Sequence, residues 1–145
     1  MDLKDLELAG AVLYKCEGAK LRKDKRYSSG KTIYYSIEFT NSDECLIMLF
    51  LEFLRKTLEV EETKLRCELF LYADMDIELV ERKWQEIVQL PKNQFHKTIV
   101  FKTKTSRFKP NPLGTCKIRY TNKEKYLSLN EIIIKRLGLA ASLIK

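Results

Sequence analysis

Glu17 is the acid whose position most needs a chemical explanation. Within residues 6–20, LELAGAVLYKCEGAK, a helical period of about 100° per residue places Leu6, Gly10, Leu13 and Glu17 in one narrow stripe. Lys15 points the opposite way, so a carboxylate shares the apolar side of the predicted helix. Gly18 follows as a C-terminal stop. There the helix dipole is negative and disfavours an acid by about a few tenths of a kcal/mol. Glu17 in that place calls for a cation, and pairing with Lys20 or Arg22, or simple exposure to water, meets the need as readily as a ligand. Ala9 and Gly10 lie on or beside the stripe and let another helix approach closely, which offsets the roughly 0.5–1 kcal/mol that glycine costs inside a helix.

The bases form a second chemically informative set. Residues 87–123 contain no acid and nine bases, and residues 20–31 contain six bases and one acid. Between them, residues 38–86 carry 13 acids and 6 bases. With a net charge of +7, this alternation suits a polyanion-binding face with an acidic back. The other reading is a generic soluble basic protein. Cys16, Cys45, Cys67 and Cys116 are spread with no C-x-x-C pair, and His96 is the only histidine, which argues against a zinc site. All four cysteines fall on apolar phases and are expected as buried free thiols, with a structural disulfide as the lesser alternative.

These residues must be positioned by a single core, since 145 residues suit one domain. Residues 1–138 are expected to form it, with 139–145 as a C-terminal tail. The first helix is expected over residues 3–17. A hairpin follows, its loop rich in lysine, arginine and tyrosine, and its second strand (32–40) puts Ile33, Tyr35, Ile37 and Phe39 on one face. Asn41-Ser42-Asp43-Glu44 starts a core helix. Residues 64–72 alternate Leu65, Cys67, Leu69 and Leu71 against Arg66, Glu68, Phe70 and Tyr72. A helix opened by Asp74-Met75-Asp76 presents Ile77, Val80, Trp84, Ile87 and Val88 and stops at Pro91. Residues 96–104 read as a short strand or arm before a proline-interrupted loop. Residues 115–120 turn Cys116, Ile118 and Tyr120 inward and Lys117 and Arg119 outward, and Thr121-x-x-Glu124 reads as a capping box for the last helix. The order predicts an α+β fold: a mixed, mainly antiparallel sheet with helices packed on one face. Its other face is expected to be polar and basic, a shape that enters a duplex groove or lies along a single strand. The longest apolar run, residues 46–51, is too short to span a bilayer, and the acidic N-terminus does not suit a signal peptide, so a cytoplasmic protein without membrane partners is expected.

The run Leu8-Ala9-Gly10-Ala11-Val12-Leu13-Tyr14-Lys15-Cys16-Glu17-Gly18 resembles the signature helix of LAGLIDADG homing endonucleases. It is most similar to the compact single-motif bacterial branch, whose pattern G-x-x-L-Y-x-x-E-G-x-K is met by Gly10, Leu13, Tyr14, Glu17, Gly18 and Lys20. EFTNSD at 38–43 and Gly114-Thr115-Cys116-Lys117-Ile118-Arg119 also resemble that branch. The resemblance implies a LAGLIDADG homing-endonuclease-like fold and a site-specific endonuclease that cuts double-stranded DNA as a homodimer. It implies Glu17 and Gly18 as ligands of Mg²⁺ (or Mn²⁺), with Glu standing where the family motif ends on Asp, and no small-molecule cofactor. Leu6, Ala9, Gly10 and Leu13 would form the dimer contact, and a base, Lys117 or Lys104, would assist beside the phosphate. The expected DNA contacts are Lys20, Arg22, Lys23, Lys25, Arg26 and Tyr34 around the hairpin, and Arg66, Lys102, Arg107, Lys109 and Arg119 elsewhere. Relatives that have lost cleavage make a non-catalytic DNA- or RNA-binding regulator or splicing factor the alternative. A small protein-interaction domain with incidental charge is a third reading.

Overall fold

In the computed structural model, residues 1–23, 33–102 and 112–144 are described. Helix α1 spans Leu3–Glu17 and is capped by Asp2, whose carboxylate accepts the Asp5 N–H. Strands β1 (Arg22–Lys23) and β2 (Ile33–Tyr34) pair antiparallel as the base of the expected hairpin. After β3 (Ser36–Asn41), Asp43 caps α2 (Glu44–Lys56) by accepting the Cys45 and Leu46 N–H groups. β4 (Arg66–Tyr72) leads to α3 (Ile77–Val88), which is capped by Asp76. β5 (Ile99–Phe101), β6 (Thr115–Thr121) and α4 (Lys123–Leu137) complete the order.

The cap of α4 corrects the capping-box expectation. Thr121 is still paired with Ser36 at the end of β6, so its backbone stays extended. Asn122 caps instead, its side chain accepting the Lys125 N–H at 2.8 Å.

The four-stranded sheet has the order β3-β6-β4-β5, antiparallel except for the β4–β5 pair. Strict alternation in β4 and β6 directs Cys67, Leu69, Leu71, Cys116, Ile118 and Tyr120 to one face, joined by Ile37 and Phe39 of β3. The helices cover that face. Phe39 stacks on Phe50 of α2 with ring centroids 4.4 Å apart, and Tyr14 of α1 stacks on the same Phe50 at 5.7 Å. Trp84 of α3 is fully buried, and its indole N–H donates to the Leu113 carbonyl at 2.7 Å. Side chains of this size each gain roughly 1.5–3 kcal/mol on burial, so this layer holds the fold.

Ser142 and Leu143, beyond α4, are also tied down. Buried Asn130 accepts the Leu143 N–H at 2.7 Å and the Ser142 hydroxyl at 3.1 Å. Among the described residues no helix is long and apolar enough to cross a membrane. Cys67 and Cys116 are buried free thiols, as expected, and burial with the neighbouring Cys67 thiol pushes the Cys116 thiol well up from its usual range. Cys16 and Cys45, by contrast, are exposed. Each lies at a helix end, where periodicity predicts a face but the end of the packed layer leaves it uncovered.

Candidate nucleic-acid interface

The stripe that contains Glu17 divides at the helix end. Leu6, Gly10, Ala11 and Tyr14 are buried inside the chain, whereas Glu17 is exposed in the last turn. Gly10 faces Phe53 of α2, and a Cβ at this position would overlap the Phe53 ring. The glycine therefore admits the chain's own second helix, which corrects the expectation that Leu6 and Gly10 meet a partner. Both are enclosed in the core, while Ala9 and Leu13 are half-buried. The outward side of α1 instead exposes Leu8 and Val12, 38% and 41% accessible, on one face with Cys16.

Tyr14 explains how the end of α1 is held. Its hydroxyl donates to the Ala19 carbonyl at 2.7 Å and accepts the Glu38 N–H at 3.3 Å. Gly18 packs against the Tyr14 ring so tightly that a Cβ would collide with it. Gly18 also forms an antiparallel bridge with Phe39, and the Ala19 N–H donates to the Glu38 carbonyl at 2.9 Å. The chain leaving α1 thus runs along the free edge of β3 and fixes Glu17 beside the sheet. Among the described residues Glu17 has no ion-pair partner. It sits at the negative end of the α1 dipole, where a cation is favoured.

The sheet face away from the helices carries the expected outward residues, but it is mixed in charge. Arg119 stands opposite Glu38 on one side and Arg66 on the other, and Lys117 stands between Thr40 and Glu68. Arg119 Nε lies 2.9 Å from Glu38 Oε1 without aiming its N–H at it, so that contact is electrostatic. Glu38 is only 5% exposed and Arg119 28%, which makes this pair stronger than an ordinary surface ion pair. Lys117 Nζ is 4.0 Å from Glu68 Oε1 and lies over the Phe70 ring, 5.6 Å from its centroid. Arg66 donates to the Thr63 and Leu65 carbonyls, which leaves it half-buried at the rim. Tyr34 reaches Thr121 Oγ1 at 3.3 Å on the same face.

By register, Lys117 and Arg119 flank Ile118, which pairs with Phe39, the residue bridged to Gly18. They are therefore two strand spacings, about 10 Å, from the segment that carries Glu17. Lys20 is exposed next to that segment, and Lys102 is exposed at the end of β5. Arg22 and Lys23 lie in β1. Lys25, Arg26, Lys104, Arg107 and Lys109 lie outside the described residues. Among the described residues no three His, Cys, Asp or Glu side chains cluster as a metal site.

Sequence reasoning missed the pairing of two glutamates with the bases of this face. The alternation of β3 and β4 already turns Glu38 and Glu68 outward, but only the strand order reveals that they stand beside Arg119 and Lys117. Compared with protein-family models, curated proteins and solved structures, the chain matches none.

Proposed function

We propose that this chain is a site-specific endonuclease that cuts double-stranded DNA as a homodimer, with the open sheet face lying along the DNA and Glu17 beside the scissile phosphates. The observation that carries this reading is the exposed Glu17 at the end of α1, held against the β3 edge by the Gly18–Phe39 bridge and the Tyr14 hydroxyl. A carboxylate held this way, on a rigid element next to a face bearing Lys117 and Arg119, has the components that phosphodiester hydrolysis uses.

A divalent ion such as Mg²⁺ or Mn²⁺ fits only as a shared ligand. One chain offers the Glu17 carboxylate and the Gly18 carbonyl, hard oxygen donors of the right type, and a second copy, DNA oxygens and water would supply the rest. When bound, such an ion supplies Lewis-acid activation of water and offsets charge on the phosphate. This chain's own residues do the positioning. Glu17 anchors the ion site, Lys117 and Arg119 draw the phosphate backbone onto the sheet, and Lys20 adds charge at its edge. In the dimer, α1 would meet its symmetry mate through Leu8 and Val12, with half-buried Ala9 and Leu13 at the margin.

The direct test is incubation with a duplex DNA library and Mg²⁺, comparing the wild type with Glu17→Gln. Cleavage by the wild type and at least about a hundredfold loss in the variant, with duplex affinity retained, is the expected result. Tight binding without cleavage by either protein would overturn the endonuclease reading and leave a non-catalytic DNA- or RNA-binding regulator on the same face.

A further inference from the structure

We propose that the β4–β5 edge of the open face is a stacking platform for unpaired bases, formed by Phe70, Tyr72 and Phe101. β5 runs parallel to β4 with Phe70 opposite Ile99 and Tyr72 opposite Phe101, so the outward phases of both strands bring three rings onto one surface. The Phe101 centroid is 6.3 Å from that of Phe70 and 6.2 Å from that of Tyr72, with interplanar angles of 15° and 47°. Phe101 is 48% exposed and Tyr72 40%, and the adjoining Ile99 and Val100 are exposed as well. An apolar edge strand of this kind invites a partner.

Charge selects the occupant. Lys117 stands over Phe70 at 5.6 Å, and exposed Lys102 follows Phe101 directly. The whole of residues 87–123 is free of acids. Glu68 lies at 4.0 Å from the Lys117 ammonium, the outer limit of an ion pair, so Lys117 keeps donors for a phosphate. A nucleotide matches both halves of the surface: its base presents a π-face to the rings and its phosphate meets the lysines. An apolar peptide would match the rings alone, and a second copy of this chain would bring the same positive charge. Bases in a duplex show only their edges to a sheet. The platform therefore takes nucleotides that are already unpaired or are drawn out of the stack, and stacking makes it tolerant of base identity. This inference rests on the nucleic-acid reading of the open face and adds the form of strand that its aromatic edge holds.

Fluorescence titration of the full chain tests it, using one blunt duplex and the same duplex with a short unpaired extension containing 2-aminopurine. The extension is expected to raise affinity about tenfold and its fluorescence to be quenched on binding. Phe101→Ala and Tyr72→Ala should each abolish the preference and the quenching while leaving blunt-duplex affinity unchanged, and Phe101→Trp should restore both. Equal affinity for the two forms with no quenching, or a preference that survives both alanine variants, overturns the platform but leaves duplex recognition standing. Failure to bind either form overturns the nucleic-acid reading of the face as well. Self-association that disappears in Phe101→Ala would overturn the platform in favour of a second copy on this edge.

Discussion

The two faces of strands β4 and β6 share one alternating pattern yet meet opposite fates. Inward, Cys67, Leu69, Leu71, Cys116, Ile118 and Tyr120 are at most 1% exposed beneath four helices. Outward, Arg66, Glu68, Lys117 and Arg119 retain charge and partial contact with water, with the half-buried Phe70 ring among them. Each strand thus fixes the fold with one set of side chains and leaves the other set available for recognition. Substitutions on the two faces should therefore separate stability from binding.

Trp84→Ala should show the largest effect on the helical side. It removes a fully buried indole and leaves the Leu113 carbonyl without its donor, lowering unfolding free energy by about 3–5 kcal/mol. Thermal denaturation should show the melting temperature falling by roughly 10 °C or more. Gly10→Ala comes next, at about 1–3 kcal/mol, because the new methyl must displace Phe53. Val12→Ala, on the exposed side of the same helix, should leave urea unfolding of the monomer within about 0.5 kcal/mol of the wild type. Equal losses at positions 10 and 12 would break the division between the two sides of α1.

Arg119→Ala lies between the two classes. Nearly buried Glu38 loses a cation 2.9 Å from its carboxylate, so stability should fall by about 1–2 kcal/mol while duplex affinity also drops. Lys117→Ala should be the smallest in stability, within about 0.5 kcal/mol, because its contact with Glu68 is long and partly exposed. Its effect should appear in binding alone.

Much of the helical side was legible from residue order. The bounds of α1, the helix starts at residues 41–44 and 74–76, and the inward phases of β4 and β6 follow from local chemistry and period, whereas the capping residues themselves, Asp43 and Asp76, are set by the backbone geometry at each start. Gly10 was legible as a close-approach residue, but helical period says only that a face is small. That Phe53 fills the space depends on how α2 returns across α1. The cap of α4 shifted from Thr121 to Asn122 because pairing with Ser36 extends β6 by one residue. The outward residues were legible one by one, whereas their neighbours were not. Glu38 beside Arg119 and Phe101 beside Tyr72 arise from the order β3-β6-β4-β5, which brings together strands far apart in the chain.

The central claim, that the open face receives a polyanion while the helical face carries the fold, is tested most directly by the salt dependence of duplex binding. Equilibrium binding of the wild type and of a Lys20→Ala/Lys117→Ala variant should be measured from about 50 to 200 mM salt. The expected result is a logarithmic slope reduced by roughly 2 in the variant, about one phosphate contact per lysine, with an unchanged melting temperature. A slope identical to that of the wild type in a variant that remains folded would contradict the claim.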